Sequence, residues 1–138
     1  MKSLRTRVMI AATVLLATAG TASAQALRAD IPFTFQAGGA SLQPGSYEVL
    51  LNNNHVVTMR NIYSSDAIFA MPIAQNDPEK TWIAAGKPML EFECGTSRCS
   101  LSRIWDGTRD ASYQFARPNL GKDGPSRVAV IVMRPAAD

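Results

Sequence analysis

The chain is short of the residues from which most active sites are assembled. It has one histidine, His55, and two cysteines, Cys94 and Cys99, in 138 residues. A zinc centre takes four protein ligands, or three and a water, drawn mostly from those residue types, so no metal site is expected. A Ser/His/Asp triad would have to use His55, which follows the run Asn52–Asn54 at the start of a strand pattern and reads as a turn or surface histidine. No Gly-x-Ser-x-Gly elbow, His-Glu-x-x-His pair or phosphate-cradling glycine loop occurs. The expectation is a protein with no catalytic residues and no cofactor.

Other absences narrow the class further. No apolar run reaches the roughly 20 residues that a membrane-spanning helix needs. No stretch interleaves Lys and Arg with aromatics, so nucleic acid is not an expected partner. Internal repeats, low-complexity tracts and domain linkers are missing as well. After the first 24 residues no segment shows a convincing amphipathic helical period.

What is present begins with an export signal. Lys2, Arg5 and Arg7 precede the apolar run Val8–Ala19, and the small residues Ala22 and Ala24 follow. This is the form of a secretory signal peptide spanning 1–24, with Ala26 as a second cleavage position. Cleavage leaves no membrane anchor and places the chain in the periplasm or outside the cell. The precursor has 14 Lys+Arg and 11 Asp+Glu; removing the three basic residues of the leader leaves 11 against 11. The mature chain is thus nominally neutral, and its 114 residues (138 less 24) suit one domain, 25–138.

Within that domain the apolar residues recur mostly with period two. "ADIPFTFQ" aligns Ile31, Phe33 and Phe35 on one face, with Pro32 marking an edge strand or strand start. "YEVLL" aligns Tyr47, Val49 and Leu51; "HVVTMRN", "DAIFAMPI" and Ser112–Ala116 are further strand candidates. The asparagines 52–54 tolerate positive φ and turn the chain. "AQNDPEKTWIAAGK" reads as a long loop whose Trp82 and Ile83 can fold back onto the core, and "RVAVIVM", apolar on both faces, as a strand covered on both sides or passing through the centre of the domain. These runs, separated by Gly, Pro and Asn turns, predict an all-β fold. It is a small antiparallel β-barrel or sandwich of about seven to eight strands. Its strands are too short for the roughly 9–11 residues of an outer-membrane barrel.

The segment "EFECGTSRCSLSRIW" tests itself as a hairpin with Thr96-Ser97 at the tip. Cys94 then faces Cys99, Phe92 faces Leu101 and Leu90 faces Arg103; Glu93 and Glu91 face Ser100 and Ser102. Arg103 is the misfit, a charge on the apolar face that needs a rim position or a buried partner. In an exported chain two cysteines pair, and opposite residues of an antiparallel ladder lie about 4.5–5.5 Å apart at Cα, within disulfide range. A redox Cys-x-x-Cys spacing is absent, since four residues intervene. Glu91 and Glu93 share a strand face and read as solvated rather than as a glycosidase pair. Asp106 and Asp110 flank a turn glycine without EF-hand spacing.

Two stretches carry a likeness: "ADIPFTFQAGGASLQPGSYEV" (Ala29–Val49) and "KPMLEFECGTSRCSLSRIWDG" (Lys87–Gly107). They resemble a largely uncharacterised family of small secreted bacterial β-rich proteins. That family opens on an ADIPFxFxxGxxxLxPGxYxV-type motif and later carries a hairpin ending in Leu-Ser-x-Val/Ile-Trp. At 21 residues each, they cover a little over a third of the mature chain. The cysteine pair and the "RVAVIVM" ending depart from the family pattern. The resemblance implies a compact β fold and export, and no activity.

The function expected from these features is non-enzymatic binding of an envelope or extracellular partner, of unstated identity and with the oligomeric state open. Loops Asn52–Asn54, Asn61–Asp66 and Gln75–Lys87 are the expected contact surfaces, with Tyr63 and Trp82 as the candidate recognition aromatics, against the commoner alternative that such a loop folds its aromatic back onto the core. The alternative is a carrier holding a small apolar ligand in a β interior lined by Phe33, Phe35, Phe69, Phe92 and Val130. A hydrolase built on acidic residues ranks below both.

Overall fold

The structure, a computed structural model, describes residues 26–108, 110–116 and 126–136. The expected signal peptide, 1–24, lies outside the described residues. The chain forms β1 (Leu27–Ile31), β2 (Phe35–Ala37), β3 (Ala40–Leu42), β4 (Gly45–Leu51), β5 (Val57–Asn61), β6 (Ala67–Ala70) and β7 (Ala74–Asn76). Then follow α1 (Lys80–Ala85), β8 (Met89–Cys94), β9 (Cys99–Trp105), β10 (Ser112–Gln114), β11 (Arg127–Val132) and β12 (Arg134–Pro135).

The strands form two sheets. The first has the order β12-β1-β4-β5-β6; the second runs β11-β8-β9-β10-β7, and the β2–β3 hairpin joins it because β2 pairs parallel with β9. The molecule is all-β and sandwich-like, and the sheets do not close into a barrel. Twelve strands appear among the described residues where about seven to eight are read from the sequence, because several apolar runs are divided between sheets. The run containing Ile31, Phe33 and Phe35 is the clearest case. β1 ends at Ile31, Pro32 withholds a ladder donor, and the chain changes sheets before β2. The same happens at Met71–Ile73, between β6 and β7, and at Met133, between β11 and β12.

Between the sheets lies one core. Alternation along β4 buries Tyr47, Val49 and Leu51, and their partners across β5 include Met59 and Val57. The aromatic centre joins the sheets edge to face. Phe92 meets Phe33 at 5.1 Å and Phe35 at 5.3 Å, and Phe35 meets Tyr47 at 5.3 Å. Tyr47 is fully buried, and its hydroxyl donates to the Gln43 carbonyl at 2.5 Å. Burying a ring such as Phe92 is worth about 2–3 kcal/mol. The five residues of the imagined ligand cavity do not converge. Phe33, Phe35 and Phe92 pack on one another, whereas Phe69 and Val130 point outward.

Turn chemistry follows the sequence with one exception. The two-residue turn Gly38-Gly39 has φ of 59° and 78°, the pattern of a tight hairpin. A Cβ at Gly38 would come within 2.3 Å of the Phe69 carbonyl oxygen, so glycine also lets this turn press against β6. The exception is the asparagine run, where positive φ falls instead on His55, at 65°. His55 N–H donates to the Asn52 carbonyl and Asn52 N–H to the Val56 carbonyl, closing the turn around the histidine.

Candidate functional site

The β8–β9 hairpin keeps the expected tip and changes register below it. Gly95 N–H donates to Arg98 carbonyl at 2.7 Å, and Cys94 is disulfide-bonded to Cys99 with Cα atoms 4.0 Å apart. Glu93↔Ser100 and Phe92↔Leu101 hold as read, but a bulge between Glu91 and Phe92 pairs Glu91 with Arg103 and Leu90 with Ile104. Ser102 absorbs the extra residue. This solves the Arg103 misfit: the bulge turns Arg103 to the outer face of the sheet and sets Ile104 in the core.

The expectation of a solvated Glu91 is overturned by the same shift. Glu91 is 6% exposed, and both its carboxylate oxygens accept from Arg103, at 2.6 Å to Nε and 2.7 Å to Nη2. Arg103 Nη2 also donates to Glu79, and its guanidinium lies 4.8 Å from the Trp82 ring centroid. The Glu91 hydrogen bonds, reinforced by Glu79, hold Arg103 in its charged form more firmly than usual, against the opposing effect of partial burial. Both oxygens of the Glu91 carboxylate are thus engaged by one guanidinium.

The expected loop Gln75–Lys87 contains β7 and the six-residue helix α1. Gly86 ends α1 in the left-handed region, its N–H donating to the carbonyls of Trp82 and Ile83. Glu79 sits at the N-cap but makes no side-chain cap, because its carboxylate is committed to Arg103. Of the two readings of Trp82, recognition surface or folding back, the second holds: α1 buries it against Met89 and Trp105 in a second apolar cluster, while Ile83 stays exposed. Tyr63 is 85% exposed. It stands on a loop fixed by Asn61, whose Oδ1 accepts from the backbone N–H of Tyr63 at 2.8 Å and of Ser64 at 3.1 Å.

A surface with the shape of a binding site lies where the chain crosses from β6 to β7. Phe69, Met71 and Ile73 are 66%, 73% and 67% exposed, alternating with buried Ala70 and half-buried Pro72. Hollows open on either side of Met71. One, of about 260 Å³, is lined by the Gly38-Gly39 turn, Ala70, Leu101 and Phe115. It sits where β9 passes from pairing with β2 to pairing with β10. The other, of about 240 Å³, is lined by Asn54, His55, Pro72, Ile73, Gln75 and Tyr113. His55 stacks on Tyr113 with centroids 4.9 Å apart, and its buried Nδ1 has no hydrogen-bond partner. An apolar ridge beside two open hollows, with a histidine in the strained left-handed region at its foot, has room to take side chains of another molecule.

Two of the three loops expected to make contacts border this surface, through Asn54 and Gln75; Tyr63 does not line either hollow. Phe69, Met71 and Ile73 were hidden in the sequence as an ordinary strand, and only their period-two spacing across Pro72 marks them. The described residues contain no group of three or more His, Cys, Asp or Glu able to hold a metal ion. No helix of the described residues is long and apolar enough to cross a membrane. Family models, curated proteins and solved structures each return no match to this chain.

Proposed function

We propose that the chain is exported, processed behind Ala24, and acts without catalysis in the periplasm or outside the cell by binding a partner at the β6–β7 crossover. The observation that carries this reading is the ridge Phe69-Met71-Ile73, apolar and open, set between two hollows that share Met71. Monomeric proteins seldom leave large apolar side chains clustered in water unless the patch is used. The glutamates best placed by sequence to do acid/base chemistry offer no competing site, because Glu91 is committed to Arg103. The test is retrieval of an envelope partner on immobilised mature protein, repeated with Met71→Ser and with Tyr63→Ser. Loss of the partner in the first and retention in the second supports the crossover. Equal retrieval by all three proteins overturns it.

A carrier of a small apolar ligand is the second reading. The hollow lined by Ala70, Leu101 and Phe115 favours it, being apolar on one side and large enough for a compact molecule. Native mass spectrometry of freshly purified protein separates the two: an added small-molecule mass that Leu101→Gln abolishes selects the carrier.

A further inference from the structure

β11 is the longest edge strand among the described residues, and it pairs with β8 alone. Its six pairs run without a register shift from Arg127↔Cys94 to Val132↔Met89. Met133 N–H donates to the Pro88 carbonyl, one step beyond Val132↔Met89. In an antiparallel ladder the residues that exchange hydrogen bonds alternate, so Arg127, Ala129 and Ile131 direct their backbone groups at β8. Val128, Val130 and Val132 therefore turn N–H and C=O to the open edge. Farther along, that edge is taken: Ala136 N–H donates to the Ala26 carbonyl, and β12 pairs with β1. From Val128 to Val132 no described strand takes it.

The side chains tell the same story. Ala129 and Ile131 pack inward, while Val128, Val130 and Val132 are 61%, 43% and 49% exposed on the outer face. Natural edge strands are blunted by lysine, proline, a bulge or an inward charge. None of these interrupts Val128–Val132.

We propose that this edge pairs antiparallel with the same edge of a second copy, about a two-fold axis at Val130. In that register Val130 lies opposite Val130 of the second copy, and Val128 opposite Val132, so each outward valine meets another. The backbone groups that β8 leaves open are the ones such a register joins. Arg127 falls opposite Met133 of the second copy and meets no like charge. The nominal charge balance of the mature chain adds no bulk repulsion. A closed two-fold pair also uses up both exposed edges, which an open-ended arrangement does not.

The test uses the processed protein with its disulfide intact. Light scattering after size exclusion should give twice the monomer mass. Val130→Lys, which sets two ammonium groups face to face at the axis, should give the monomer mass with an unchanged circular dichroism spectrum. Val130→Cys should form an interchain disulfide on mild oxidation, since hydrogen-bonded pairs sit about 5.5 Å apart at Cα. Met71→Ser, at the crossover, should leave the dimer intact and so separates this interface from the partner surface. A monomeric wild type, a dimer that survives Val130→Lys, or Val130→Cys that never crosslinks in the dimer overturns the proposal.

Discussion

The outer face of the second sheet is covered at one end and bare at the other, and the two ends reverse what their residues suggest. Under α1 lies a charged pair, Glu91 with Arg103, enclosed with Trp82, Met89 and Trp105. One strand away, across β8, three valines of β11 face water. The charged end is buried because the segment after β7 carries an indole to it; the apolar end is open because no described element crosses it. Burial here is decided by what the chain brings over a surface, and local hydropathy is a poor guide to it. Charge under cover is tolerated only where every charged atom is matched, as the bidentate contact of Arg103 with Glu91 and the added bond to Glu79 achieve.

That contrast can be broken most sharply at Arg103. Arg103→Ala leaves Glu91 buried without its partner and should cost about 4 kcal/mol, slightly less if the site floods. Urea denaturation measures it. The double variant Glu91→Leu/Arg103→Met should recover most of the loss, because an apolar pair in that place needs no desolvation. Next comes Trp82→Ala, expected to cost about 3 kcal/mol by emptying the second cluster. Protease cleavage within 77–87 and a red shift of Trp105 fluorescence should accompany it. A loss as small as that of a surface change would mean that α1 covers nothing of consequence.

The bare end should respond far less. Val130→Thr keeps the β-branched shape and should change the stability of the monomer by less than about 0.5 kcal/mol. Measured at a concentration low enough to keep the protein monomeric, a drop comparable to that of Trp82→Ala would show that another part of the same chain covers Val130. The smallest effect concerns an exposed ion pair, Arg134 with Asp30 at 2.7 Å, which ties β12 to β1. The hydrogen bond from Arg134, and then that from Ser46, holds the Asp30 carboxyl below its ordinary value of 3.8. Its contribution is complete above that ordinary value and is lost as pH falls through the lowered one. The protection factor of the Ala136 amide, which corrects for intrinsic exchange, should therefore fall as pH drops through that lowered value, and Asp30→Asn should remove this step.

Much of this was legible in the residues. Tyr47, Val49 and Leu51 share a face by alternation alone, the Gly38-Gly39 turn follows from its composition, and Cys94 opposite Cys99 follows from matching the two hairpin faces. The same matching failed below Phe92, because a bulge has no composition of its own; Arg103 on the wrong face was its only trace. α1 was missed because six residues are too few to show a helical period, although Gly86 stood where a helix stop belongs. Of the crossover, Asn54 and Gln75 lay in loops already marked as contact surfaces, while the exposure of Phe69 and Met71 depends on which strand ends a sheet.

Taken alone, the order of residues determined that this chain would pleat, where most turns would fall, and that its two thiols would meet across a hairpin. These are short-range consequences of alternation and backbone preference, acting between neighbours along or directly across a strand. The tertiary structure decided which apolar faces are covered and which charge is enclosed. It also decided where an open ridge is left between the sheets. Those outcomes depend on strand order and on one short helix folded back over a sheet, and contacts between residues far apart in sequence leave no pattern in either partner alone.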